Sequence, residues 1–212
     1  MKQARKKRPR ARTQEAKEAL REQILVEAVA LFVEEGYAGF SMRKLARRLH
    51  FTATALYDYY DDKHDLLLAV IGEGYQRFGR HLVAAGGAPI ERLAAIGLAC
   101  MDFAFANPKL YTLMFIHRPG PLFDLSPATV QERMALLRGV AETVRGLPRL
   151  AGADAASVQH AAELFWAINH GLISLSLTIP LFDEKWARGN LQFLLEALRP
   201  LLLGKGKGRP AG

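Results

Sequence analysis

An all-helical fold is predicted by three features of this sequence. Apolar residues recur at helical spacing along most of the chain, proline, glycine and asparagine punctuate them, and no alternating apolar-polar run is long enough to specify a strand. Half of the 212 residues are hydrophobic and 24% are charged, so there is material for a real core. No apolar run approaches the ~20 residues of a membrane-spanning helix. The basic N-terminus leads into an amphipathic segment instead of a signal-peptide core, so a cytoplasmic protein with no membrane partner is expected.

The first helix is read from about Thr13 to Glu35, with Leu20, Ile24, Ala28, Leu31 and Phe32 on one stripe and Gly36 as its stop. Ser41 is placed to cap a short second helix. Met42, Leu45, Ala46 and Leu49 form its apolar side, and Arg43, Lys44, Arg47 and Arg48 the other. Thr52 is placed to cap a third helix running to about Tyr60. Asp62 and Asp65 resemble a capping box that opens a fourth at Lys63.

Glycines between Gly72 and Gly87 thin the periodicity, so the fourth helix is expected to end there, close to a domain junction. Pro89 suits a first helical position, and the face Ile90, Leu93, Ile96, Gly97, Cys100, Met101, Ala104 and Phe105 runs to the Asn107-Pro108 break. A short helix is expected over Lys109 to Phe115, and a loop from Arg118 to Ser126. Later helices are read over Pro127 to Leu147, Asp154 to Thr178 and Asp183 to Leu203, with Pro148, Gly152 and Pro180 at the joints. The Asp154 to Thr178 segment is apolar around much of its circumference. That predicts burial on more than one side, inside a bundle or against a second subunit.

The net charge of +8 is unevenly held. Residues 1 to 12 carry seven basic residues and no acid, and Lys205, Lys207 and Arg209 add three more, leaving residues 13 to 204 at a net −2. The short C-terminal tail reads as a solubility device. The N-terminal arm abuts the motif described next and is expected to follow phosphates or enter a minor groove. Cys100, the single cysteine, excludes a disulfide framework within the chain and reads as a small buried residue.

Two short helices joined by a tight turn, basic on the first and opening with small polar residues on the second, form the minimal pattern of a helix-turn-helix reader. A helix that enters a major groove needs short or polar side chains outward and an anchored inner face. Ala53, Thr54, Tyr57 and Asp58 fit the outward set, and Ala55, Leu56, Tyr59 and Tyr60 the anchored one. The expected organisation is a disordered arm over 1–12, a three-helix DNA-binding domain over 13–66, and a flexible tail over 204–212. Between them, a linking helix joins the reader to a larger helical bundle, the effector-binding and dimerisation domain of 67–203.

A longer run then carries a resemblance. Leu31-Phe-Val-Glu-Glu-Gly-Tyr, Phe40-Ser-Met-Arg-Lys-Leu-Ala, Thr52-Ala-Thr-Ala-Leu-Tyr-Asp-Tyr-Tyr and Lys63-His-Asp-Leu-Leu together resemble the TetR family of bacterial repressors. The resemblance implies that Thr52 to Tyr60 is the recognition helix, that Tyr57 and Lys63 meet DNA phosphates, and that Ser41 does so too. Hydroxyls, a phenol and an ammonium are suitable phosphate donors, so Ser41, Arg43, Thr52, Tyr57 and Lys63 are the candidate backbone contacts. Ala53 and Thr54 are the candidate base-edge contacts. The sequence departs from the family pattern at His50, where a turn glycine is usual, at Ala53 and Thr54, and at Asp58. An acid there repels phosphate unless it accepts from a cytosine amino group or pairs with Arg43 or Arg47.

In the C-terminal part, Phe165-Trp-Ala-Ile-Asn-His-Gly is similar to the Trp, three-residue, His-Gly pattern of one C-terminal domain type of that family. Met101, Phe105, Tyr111, Met114, Phe115, Phe165, Asn169 and His170 are the candidate lining for an effector, each more readily read as plain core. One reader covers one half-site, so a homodimer on a double-stranded operator is expected, with the last two long helices as the interface. An enzyme is not expected. No Gly-x-Ser-x-Gly elbow, zinc-type His-Glu-x-x-His pair, dinucleotide fingerprint or phosphate loop occurs, His160 and Glu163 find no further ligands, and no cofactor or metal is implied.

Overall fold

The computed structural model describes residues 14–82, 87–116 and 127–203, which form helices and turns with no strand among them. The basic arm, the C-terminal tail and the Arg118 to Ser126 loop expected above lie outside the described residues. The order is α1 (Gln14–Gly39), α2 (Met42–Arg48), α3 (Ala53–Tyr57), α4 (Lys63–Leu82), α5 (Pro89–Ala106) and α6 (Pro108–Tyr111). A π-helical turn (Thr112–Ile116), α7 (Pro127–Arg145), a 3₁₀ turn (Pro148–Leu150), α8 (Ala155–Thr178) and α9 (Glu184–Leu202) follow.

Two compact units meet within α4, one ending at Val70 and the other starting at Ile71. In the first, α1 breaks at Gly36, whose φ of 66° and ψ of 174° leave the helix. Glycine reaches that left-handed region without a Cβ penalty. The α1 stripe of Leu20, Ile24, Ala28, Leu31 and Phe32 is buried with Phe40, with Met42, Leu45 and Ala46 of α2, and with Leu56 of α3. Phe32 and Phe40 stack at 3.9 Å between centroids, fixing the strap that leads from α1 into α2.

The second unit is a bundle in which α5 packs on α7 and α9, and α8 packs on the same two helices. Asp154 and Asp183 cap α8 and α9, each accepting a backbone N–H three residues on, at 2.7 Å. α4 ends at Leu82, within the expected stretch from Gly72 to Gly87. It runs through Gly72, Gly74 and Gly79, and at Gly74 a Cβ would lie 2.6 Å from the Met114 sulfur. Two sequence expectations are corrected here. The single helix over Lys109 to Phe115 is replaced by one α turn and a π turn. The second correction concerns α3, which stops at Tyr57, with Tyr59 and Tyr60 held by N–H bonds to the Leu56 carbonyl.

Gly97 is the closest approach in the α5, α8 and α9 packing: a Cβ there would meet Leu191 at 2.8 Å and Phe165 at 3.3 Å. Leu191 is buried and has no room to retreat. Gly97→Val is expected to destabilise the chain by about 1–3 kcal/mol, read as a lower urea midpoint with an unchanged slope.

Candidate nucleic-acid interface

The reader of the first unit is built from two capped helices and the turn between them. Ser41 and Thr52 each accept a backbone N–H through their side-chain oxygen at 3.2 Å, from Lys44 and Ala55 respectively. Each hydroxyl keeps its own proton to donate outward. α2 ends in two backbone bonds, His50 N–H to the Arg47 carbonyl and Phe51 N–H to the Ala46 carbonyl, the paired bonds of a Schellman turn. That turn requires a left-handed residue after the cap, and His50 supplies it at φ 56°.

α3 has only five residues and no independent stability. Leu56, 1% exposed, and Tyr60 anchor it, while Tyr59 is half-buried. Of the outward set, Thr54, Tyr57 and Asp58 are exposed, whereas Ala53 is half-buried, as Ala55 of the anchored set is. Tyr57 is 50% exposed, an unusual position for a large aromatic side chain.

The four basic residues of α2 do not act together. Lys44 pairs with Glu35, and Arg48 pairs with Glu34, with Glu27 at 3.9 Å, so these two charges turn back onto α1. Arg43 and Arg47, one helical turn apart, are exposed, and among the described residues neither they nor Asp58 enter an ion pair. The i, i+4 spacing was visible in the sequence, yet which pair faced the acids of α1 was not. Arg47 thereby joins Arg43 as a candidate.

Lys63 is half-buried at the start of α4. Its Nζ donates to the Tyr37 carbonyl at 3.1 Å and lies 4.2 Å from the centre of the Tyr37 ring. The ring therefore sets the direction of the ammonium, which retains two further donors. Tyr37 is a residue that sequence reasoning missed. Asp62 accepts from the His64 and Asp65 N–H groups, which hold its carboxyl below the ordinary range, and Asp65 accepts from the Asp61 N–H. The reciprocal box is thus displaced by one residue from the expected form.

The candidate effector residues of the second unit make several sets of contacts. Tyr111, Phe115 and His170 meet through their rings, and Tyr111 Oη lies 2.7 Å from His170 Nδ1. Burial pushes the Tyr111 phenol up and His170 down, so the phenol donates and a neutral imidazole accepts. Asn169 is buried at 2% with Oδ1 unpartnered, and its side chain reaches Cys100, whose thiol burial pushes up to about 12. Met114 instead packs at Gly74, Phe165 at Gly97, and Phe105 under the Arg188 guanidinium. Trp166 edges onto Phe78 and Phe115. Among the described residues, no atom beyond its own stretch of α8 comes within 4 Å of a Cβ placed at Gly171. No group of three metal-ligating side chains occurs among the described residues, and no described helix is long and apolar enough to cross a membrane.

The fold and the reader define an all-helical regulator with an amino-terminal helix-turn-helix unit. Residues 24–70 match the family model for bacterial regulatory proteins of the tetR family, and residues 93–198, half of the chain, match the tetracyclin repressor-like C-terminal domain. The chain belongs to the TetR family of transcriptional regulators, which are not enzymes. The C-terminal match does not name the Trp, three-residue, His-Gly type.

No curated protein matches the chain. Among solved structures it is similar to a bacterial regulatory protein in the tetR family from Rhodococcus RHA1, with a TM-score of 0.70 at 19% identity over 86% of this chain and 96% of that one. A TetR-like transcriptional regulator from Rhodococcus sp. RHA1 gives 0.69 at 21% identity over 88% and 98%. The fatty acid degradation regulator FadR from Bacillus halodurans gives 0.61 at 19% identity over 97% and 100%. At these identities the likeness is one of fold.

The left-handed His50 carries a Cβ where glycine has none, a strain of about 1–2 kcal/mol that the higher chain entropy of glycine partly offsets. His50→Gly is expected to raise stability by about 0.5–1 kcal/mol, seen as a higher denaturant midpoint; a lower midpoint contradicts strain at this turn.

Proposed function

We propose that the chain is a sequence-specific repressor that binds a double-stranded operator as a homodimer and is released by a small-molecule effector bound in its C-terminal domain. The single observation that carries the DNA reading is the exposure of Tyr57 on a helix whose neighbouring Leu56 is sealed in the core. On this reading Ser41, Thr52, Tyr57 and Lys63 donate to phosphate oxygens, with Arg43 and Arg47 adding long-range attraction. Ala53 and Thr54 meet base edges, by apolar contact and by hydroxyl or methyl, and Asp58 accepts from a cytosine amino group.

An exposed stripe on α8 and an exposed aromatic side chain on α9 support the dimer. On α8, Leu164, Ile168, Gly171 and Leu175 follow one another at three- and four-residue steps, and the three large side chains are exposed, Leu164 at 63%. On α9, Ala187, Leu191 and Leu195 are buried while Phe193 is 71% exposed on another face. Covering Leu164, Ile168, Leu175 and Phe193 against a second copy removes apolar area from water, and Gly171 leaves room for a close backbone. The effector reading is supported by the unpartnered Asn169 Oδ1 and the adjoining Tyr111–His170 pair, polar groups set in an apolar bundle. An effector lowers operator affinity to the extent that it favours the state with the readers wrongly spaced.

Tyr57→Ala is expected to weaken operator binding by about tenfold or more in a mobility-shift titration while leaving the melting temperature unchanged. Joint loss of binding and melting makes Tyr57 a core residue and removes the reading. Analytical ultracentrifugation is expected to show a dimer that Leu164→Asp with Phe193→Asp converts to folded monomer, since a charge in an apolar interface costs several kcal/mol. A wild-type monomer at working concentration contradicts the dimer.

A further inference from the structure

We infer that Tyr37 is the positioning residue for DNA binding by Lys63: the face of its ring fixes the ammonium before DNA arrives and leaves the positive charge whole. Tyr37 acts through Lys63, so its role rests on the reading of that lysine as a phosphate donor.

Two lysines of the reader are held by the C-terminal end of α1, in different ways. Lys44 gives its ammonium to the Glu35 carboxylate and, at 3.0 Å, to the Gly39 carbonyl, so its charge is cancelled where it sits. Lys63 likewise donates to a carbonyl of that end, Tyr37, at 3.1 Å. Where Lys44 meets a carboxylate, Lys63 meets the Tyr37 ring, with Nζ 4.2 Å from its centre. Among the described residues no carboxylate enters an ion pair with Lys63. A ring face attracts a cation through its quadrupole and carries no net charge. Lys63 therefore stays a full cation for a phosphate to meet.

The ring is anchored in turn. Its plane lies 4° from that of Phe32 at 6.3 Å, and Phe32 stacks on Phe40 at 3.9 Å, both phenylalanines being buried. The three rings tie the ammonium to the core of the first unit. Burial, and after it the Asp62 carboxylate, push the Tyr37 phenol up, so the ring remains neutral. A lysine side chain is flexible and loses rotamer freedom when it is fixed on a phosphate. A ring that restricts it beforehand lowers that cost, and binding tightens with no DNA contact by the ring itself.

Fluorescence anisotropy of the full chain on a labelled duplex of random sequence tests this role, because phosphate contacts carry non-specific binding and no operator is needed. Lys63→Gln is expected to weaken binding by about tenfold. Tyr37→Leu is expected to weaken it by about two- to fivefold per reader, and to add nothing once Lys63→Gln is present, while Tyr37→Phe binds as wild type does. Progressive fluorination of a phenylalanine ring at position 37 drains the ring face with little change in size, and is expected to lower affinity step by step toward that of Tyr37→Leu. Unweakened binding by Lys63→Gln, or no binding by wild type, removes the phosphate reading of Lys63 and the role of Tyr37 with it. The role of Tyr37 alone is overturned if Lys63→Gln weakens binding and Tyr37→Leu does not, if Tyr37→Leu costs as much beside Lys63→Gln, or if Tyr37→Phe loses as much as Tyr37→Leu. Should Tyr37→Leu not fold, the fluorinated series decides, and equal affinity along it overturns the role.

Discussion

A five-residue helix cannot hold itself together, and the reader depends on how α3 is anchored from below. Leu56 supplies the apolar pin, Tyr60 closes the end of the segment, and Thr52 fixes the first turn. The Schellman turn at His50 sets the angle at which the chain arrives. With these four constraints satisfied, Tyr57 is left facing solvent, because its neighbours on the same short helix use up the inward directions. The exposed phenol is thus a consequence of the packing beneath it.

Charge is partitioned in the same economical way. Helix α2 carries four cations in seven residues, yet two are neutralised by α1 carboxylates and serve to hold the two helices in register. The remaining pair, Arg43 and Arg47, points to one side. Lys63 is steered by the Tyr37 carbonyl and ring, so a break in α1 at Gly36 positions a side chain at the start of α4. Electrostatic attraction and orientation are therefore carried by different residues.

Many of the helix boundaries in both units were legible in the sequence because their signals are local. Ser41, Thr52, Asp154 and Asp183 cap helices through bonds three residues away, and Gly36 ends α1 through its own backbone angles. Stripes such as Leu20, Ile24 and Ala28 needed only the helical period. What failed was non-local. The glycines from Gly72 marked the end of α4 only loosely, because Gly74 is small to admit Met114 from a segment forty residues later. The π turn at Thr112–Ile116 likewise has no sequence marker, because it arises where Tyr111 and Phe115 settle against His170 and Trp166. The direction of the Lys44 and Arg48 side chains depended on acids of α1, and which neighbour each effector candidate meets was not legible because burial alone does not say so.

The lone cysteine has a practical use that follows from where α5 places it. Cys100 is sealed beside Asn169 and its thiol stays protonated far into the alkaline range, so alkylating reagents find no thiolate while the bundle is closed. Modification at that sulfur therefore reports openings of the second unit and not its surface chemistry. With one thiol per chain, the rate of labelling is a built-in clock for how often this bundle breathes.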